Sequence, residues 1–226
     1  LVFLVESALD NARKNKSKAT PMRAGFAGTA FRHFLNNLGS VHGVRYLEVG
    51  TYNGTSLFSF VQGNENTIGR AVAIDSWEQK NVPYILRSIS AIKDSVIEAL
   101  RLHKYDKVVT VIVKNCWDVS SNEVIAALGG KANVYFYDAG HTARDHYVAI
   151  PHFLSSMEST FILIVDDWSW TSVKRGTYSA LTSMPVEIVA ELSIDTINSD
   201  PDHNPQWHNG VGVFILRKAH LKNLKN

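Results

Sequence analysis

The sequence has a single cysteine, few helix and strand breakers, no long apolar run and almost no excess of either charge. Cys116 alone cannot form an internal disulfide, which excludes a disulfide-stapled scaffold and fits a reducing compartment such as the cytoplasm. With 14 glycines and 6 prolines in 226 residues, the chain is neither fibrous nor of low complexity. The 23 Lys and Arg against 21 Asp and Glu leave a formal charge of +2, too small for the broad positive field that non-specific binding to phosphate backbones needs. Nucleic acid is therefore not an expected partner. The longest apolar run near the start, residues 1–5, is far short of the ~20 residues that span a bilayer, so no membrane partner is expected either. What remains, 45% hydrophobic and 19% charged residues, is the make-up of a globular chain long enough to bury a sizeable core.

Two stretches differ in their periodicity. Over residues 1–42 apolar residues recur at spacings near three and four around a polar, basic joint (Arg13, Lys14, Lys16, Lys18), which predicts two helices as an N-terminal appendage. From residue 43 to 226, short apolar runs alternate with longer helical patterns, as in βαβ units. The runs at 44–49, 71–74, 108–113, 134–137 and 161–165 are almost continuously apolar, as expected of parallel strands covered on both faces. Two more, at 186–192 and 211–216, are joined by a polar loop holding Pro201, Pro205 and Gly210 and predict an antiparallel pair. The expected fold is α/β: one doubly wound, Rossmann-like, mostly parallel seven-stranded sheet with an antiparallel last strand and N-terminal helices.

In such a sheet ligands bind beyond the carboxyl ends of the strands, and four of the first five runs deliver acid there: Glu48, Asp75, Asp138, and the pair Asp166 and Asp167. The first turn, EVGTYNGTS, carries Gly50 and Gly54, whose missing Cβ atoms would let a ligand approach the backbone, with Thr55 or Ser56 as helix cap. Tyr52 stands where a dinucleotide-binding turn has its second glycine, which disfavours a nicotinamide-dependent oxidoreductase. Glu48 would repel a pyrophosphate and favour a cationic amino-acid ligand. Asp75 can accept both hydroxyls of a ribose, or can equally cap the following helix.

The pattern E-x-G-x-x-x-G-x-S at 48–56, followed by an acid after the second strand, resembles the class I S-adenosylmethionine-dependent methyltransferases. The segments YDAGHTARDHY and LIVDDWSW are similar to the small-molecule O-methyltransferases of the macrocin and catechol type, which hold a divalent metal. The resemblance implies a cofactor pocket of Glu48, Gly50, Thr51, Tyr52, Gly54, Thr55 and Ser56, with Asp75 and Ser76 at the ribose and Trp77, Cys116 and Trp117 around adenine. Asp138 is implied at the reacting end of the same pocket. It further implies S-adenosylmethionine as cofactor and a hydroxylated small molecule as methyl acceptor.

Three carboxylates at adjacent strand ends, Asp138, Asp166 and Asp167, would repel one another unless a cation or a shifted pKa relieved them, and hard oxygen ligands suit Mg²⁺, with Mn²⁺ or Ca²⁺ as substitutes. The other reading is that Asp167 caps the next helix while Asp138 faces water. His141, three residues after Asp138 where catechol-type relatives carry a basic catalytic residue, is a candidate general base, with Asp138 as the alternative. His146 is out of phase with it and is not read as a ligand. Trp168, Trp170, Trp207, His203 and His208 together suggest an aromatic wall for a flat acceptor. A protein that binds the cofactor without turnover is the alternative function. The N-terminal helices could cover the site or meet a second copy of the chain as a homo-oligomer, and the sequence leaves both open.

Overall fold

The computed structural model describes residues 1–20, 25–78, 86–196 and 206–219. Pro201, His203 and Pro205 of the expected polar loop lie outside these residues. Helices α1 (Val2–Arg13) and α2 (Thr29–Gly39) lead into β1 (Arg45–Val49), α3 (Thr55–Val61), β2 (Arg70–Asp75), α4 (Leu86–Leu102) and β3 (Val109–Val113). There follow α5 (Ser121–Leu128), β4 (Ala132–Tyr137), α6 (Ala143–His152), β5 (Met157–Asp166), α7 (Thr171–Ser183), β6 (Val186–Glu191) and β7 (Val211–Lys218). The seven strands form one sheet in the order β3-β2-β1-β4-β5-β7-β6. β1 to β5 pair in parallel, and β7 inserts antiparallel between β5 and β6, as expected of the last strand.

Alternation along the strands builds two cores. Tyr46, Ala71, Ala73, Val134, Phe136, Ile162 and Ile164 face one side, where α2, α3 and α4 supply Phe34, Phe60 and Val96. Leu47, Val49, Val72, Ile74, Tyr135, Tyr137, Leu163 and Val165 face the other, against Val124 of α5, Ile150 of α6 and Val173 of α7. Local signals set the helix starts: Ser120 caps α5, and Thr142 with Asp145 forms a reciprocal capping box on α6. Among the described residues no helix is long and apolar enough to cross a membrane.

Residues 1–42, read from sequence as an appendage, share the first core: Val5, Leu9 and Ala12 of α1 and Phe31, Phe34, Leu35 and Leu38 of α2 are buried in the same cluster as β1 and β4. Register then decides where chemistry can occur. Val49 pairs with Ile74 and with Tyr137, and Tyr137 with Val165, so the next residues, Gly50, Asp75, Asp138 and Asp166, leave the sheet at one level.

Because Phe34 is fully buried, Phe34→Ala should cost about 3–5 kcal/mol in urea unfolding and lower one cooperative transition, whereas Phe3→Ala, at a ring that is 82% exposed, should cost under about 0.5 kcal/mol. Separate melting of the N-terminal helices with the sheet untouched would contradict a shared core.

Candidate active site

A cleft of about 790 Å³ opens over this row of strand ends. Gly50, Tyr52, Asp75, Ser76, Trp77, Cys116, Trp117 and Asp138 line it, together with His141, Asp166 and Asp167. The other five residues expected at a cofactor, Glu48, Thr51, Gly54, Thr55 and Ser56, are not in its wall. Glu48 is fully buried in β1, Thr51 and Gly54 belong to the first turn itself, and Thr55 and Ser56 open α3.

Gly50 is required for a reason other than ligand approach. Its φ of +91° is open chiefly to glycine, and a Cβ there would fall 1.7 Å from the main-chain oxygen of Asp138. The missing side chain lets the exits of β1 and β4 touch. Gly54, at φ +79°, is itself the cap of α3, so neither Thr55 nor Ser56 has that role.

Glu48 also departs from expectation. The Tyr46 hydroxyl donates to its Oε2 at 2.7 Å, while Oε1 has no well-aligned partner. Burial pushes its carboxyl up to about 8, against the opposite pull of the Tyr46, Ser56 and Thr51 hydroxyls. At neutral pH it is largely an uncharged acid, so it neither repels an anion nor attracts a cation.

Asp75 binds the first turn. Its Oδ2 accepts the main-chain N–H of Thr51 at 2.9 Å and of Tyr52 at 2.7 Å, and its Oδ1 that of Trp77 at 2.7 Å. The Trp77 indole N–H donates to the Tyr52 carbonyl at 2.8 Å, closing a clasp in which Tyr52 (φ +44°) and Trp77 (φ +47°) both adopt left-handed backbone. A carboxylate has about four acceptor positions, so Asp75 keeps capacity for a hydroxyl. Across the cleft a short 3₁₀ turn, Cys116–Asp118, is started by Asn115, whose side chain accepts from the Trp117 N–H. Burial raises the Cys116 thiol to about 11, so it is an unreactive wall.

At the other end, His141 Nε2 lies 2.9 Å from Asp167 Oδ2 and 3.8 Å from Asp138 Oδ1. The neighbouring carboxylates of Asp138 and Asp167 raise the imidazole to about 10, against the opposite pull of burial. Asp167 is held below the usual range although burial alone would raise it, because His141 and Asn209 donate to it. Asp166 is driven strongly upward by burial and by the charges of Asp138 and Asp167, and its carboxyl shares a hydrogen bond with Asp138, itself raised chiefly by burial. Ligand atoms of Asp138, His141 and Asp167 all lie within 4.8 Å of one another. The structure thus joins His141 to two of the three predicted carboxylates and places Asp166 against Asp138. Asp167 does not cap α7, whose cap is Trp170.

Of the expected aromatic wall, Trp170 packs edge-on against His141 with centroids 5.1 Å apart, and His208 lines the cleft. Trp168 and Trp207 are buried in the two cores instead. Several wall residues were missed in the sequence, Phe26 and Asn209 among them. Phe26 reaches the cleft from the N-terminal segment, its ring 6.1 Å from that of Tyr52, and Asn209 comes from the turn before β7. Neither belongs to a run or motif that marks it. His146, excluded as a ligand, is a core histidine in T-shaped contact with Tyr137.

These features meet in comparisons with known proteins. A family model described as a methyltransferase domain matches residues 47–168, from β1 through the turn after β5. The chain belongs to this family. Of the solved structures similar to the methyltransferase, Podospora anserina methyltransferase PaMTH1, bound to S-adenosylhomocysteine, is 12% identical with a TM-score of 0.57, covering 96% of this chain and 88% of that one. A Bacillus cereus O-methyltransferase in complex with the same product is 15% identical at 0.52, covering 95% and 90%. A Corynebacterium glutamicum protein is 13% identical at 0.57, covering 96% and 92%. At such identities the likeness speaks for the fold. No curated protein matches the sequence. The methyltransferase is of the S-adenosylmethionine-dependent class, with the class I sheet that its first turn resembles.

Gly50→Ala should destabilise the protein by about 2–5 kcal/mol, from left-handed strain and overpacking together, and a near-native melting temperature would refute the contact with Asp138. A second test uses pH. Burial lowers His146 to about 4, so the unfolded chain binds a proton that the folded one refuses between roughly pH 6.5 and 4. The folded state should keep this contribution above pH 6.5 and lose on the order of 2–3 kcal/mol as pH falls to 4. His146→Phe should flatten that slope in urea titrations, and an unchanged slope would refute the assignment.

Proposed function

We propose that this enzyme transfers the methyl group of S-adenosylmethionine to a hydroxyl oxygen of a small molecule, assisted by a divalent cation. The observation that carries the reading is the cleft itself, which joins an end bounded by Asp75, Trp77 and Trp117 to the carboxylates and imidazole at the exits of β4 and β5. The bound cofactor supplies an electrophilic sulfonium methyl. The protein's part is to hold that group and the acceptor in line, which is a matter of proximity and charge placement.

Asp75 offers its remaining acceptor position to a ribose hydroxyl and, by clamping the N–H groups of Thr51 and Tyr52, keeps the first turn rigid beneath the methionine half. Trp77, Cys116 and Trp117 border the adenine end. Thr51 and Gly54 shape that turn, and Glu48, Thr55 and Ser56 support it from β1 and the start of α3.

The donor set fits a cation. Asp138 and Asp167 bring carboxylate oxygens to within 4.8 Å of each other beside His141, and hard oxygen donors suit Mg²⁺, Mn²⁺ or Ca²⁺. Asp166, the third carboxylate expected there, shares a hydrogen bond with Asp138. A cation held there supplies Lewis acidity that favours the deprotonated acceptor. Freed of its proton by a cation on the two carboxylates, His141 would be a neutral imidazole beside Asp138 and would take up the proton leaving the acceptor hydroxyl. Trp170 and Phe26 give the acceptor an apolar, flat surround. The small net charge supports a small-molecule acceptor over nucleic acid.

Calorimetric titration of S-adenosylhomocysteine tests the reading first. Wild type should bind, and Asp75→Ala should bind about 10–100-fold more weakly. Methyl transfer from labelled S-adenosylmethionine to a panel of catechols and sugars should fall with chelator and be lost in Asp167→Ala, which should still bind the product. Absence of product binding in the wild type would sink the proposal.

A further inference from the structure

Asn209 stands outside residues 47–168, and its amide meets the carboxylate cluster: Nδ2 donates to Asp167 Oδ1 at 2.6 Å, opposite the Oδ2 that faces His141. Asp167 needs such a hold. Its φ of +52° is a left-handed conformation, sparsely populated for a residue with a Cβ and held in place by its neighbours. Free rotation of its side chain would exchange the two oxygens or turn both from the cleft.

The turn that carries Asn209 is itself bound to the turn that carries Asp167. Ser169 N–H donates to the Asn209 carbonyl at 2.8 Å, and Trp168 N–H donates to the Gly210 carbonyl at 3.4 Å. The Thr196 hydroxyl donates to the His208 carbonyl at 2.9 Å, and the Thr196 N–H donates to Ser169 Oγ at 2.8 Å. Gly210, at φ +85°, has no room for a side chain: a Cβ would lie 2.6 Å from the Ile194 carbonyl oxygen. The amide is therefore delivered from a fixed platform.

From this geometry we infer that Asn209 is a positioning residue of the reacting end: it holds Asp167 Oδ1 so that only Oδ2 is presented to His141 and to a cation. The cation part rests on the function proposed above, and the effect on His141 does not. Asn209 acts through Asp167 and touches no reacting atom. Loss of its amide should loosen the His141–Asp167 contact and leave the nucleoside end, built from β1, β2 and β3 exits, as it was.

Three measurements on the full chain test this. Long-range ¹H–¹⁵N spectra of the histidine rings, with His141 assigned from a His141→Asn sample, should show its ring nitrogens shifted in Asn209→Ala. Mn²⁺ titration should show affinity about tenfold weaker, the lower end of what loss of an outer-shell partner costs. Product binding should stay within about twofold of wild type. Should Asn209→Ala not fold, Asn209→Asp keeps the side-chain shape without the donor and should shift the same signals. An unchanged His141 ring spectrum in a folded variant would overturn the inference, as would an equal loss of product binding, which would mark a general structural role. If the wild type takes up no Mn²⁺, the metal reading falls, and the ring spectrum still decides the role of Asn209.

Discussion

Close contact between the ends of β1 and β4 is the constraint from which the site follows. Gly50 has no side chain and a positive φ, so the Asp138 carbonyl can lie where a Cβ would otherwise be. That contact sets the level at which the central strands leave the sheet and therefore the spacing between the first turn and the carboxylate cluster. Parallel pairing extends the same level outward to Asp75 on one side and Asp166 on the other. Helix packing serves this arrangement: at Gly176 the absence of a Cβ lets α7 come up against the Ala143 carbonyl and His146 of α6, behind the cluster.

Electrostatics divides the site into two unlike halves. At the nucleoside end, carboxylate charge is met by main-chain N–H groups, since Asp75 accepts three of them. At the reacting end, carboxylates face one another: their hydrogen bonds and charges raise His141, while burial together with neighbouring carboxylate charge pushes Asp166 and Asp138 up. In water the same groups would repel weakly, but in a half-closed cleft the lower effective dielectric makes either a proton or a cation necessary.

Much of this was legible in the sequence because parallel strands buried on both faces must be almost continuously apolar. The runs ending at Val49, Ile74, Val113, Tyr137 and Val165 mark all five parallel strand ends, and with them the acids that follow. Harder to read was what each acid does. Whether Glu48 lies in the cleft or beneath it depends on strand pleat and on the pairing with Tyr46, two residues away, which composition does not reveal. Asp75 could be placed at the ribose position, but its clamp on the first turn needs the turn's own conformation, with Tyr52 and Trp77 both left-handed. Phe26 and Asn209 were invisible for a different reason: each reaches the cleft through tertiary packing from segments far from the motifs. The N-terminal helices looked separable because a polar joint interrupts their periodicity, yet their apolar faces complete the core beneath β1.

The proposed function requires one cleft to hold nucleoside and cation side by side, adenosine towards Asp75 and the cation towards Asp138 and Asp167. Relaxation of S-adenosylhomocysteine protons by Mn²⁺ in the ternary complex tests it directly, because paramagnetic enhancement falls steeply with distance. The account predicts strong enhancement of the homocysteine methylene protons and much weaker enhancement at adenine. Equal enhancement along the whole molecule, or none at all with both ligands bound, would contradict it.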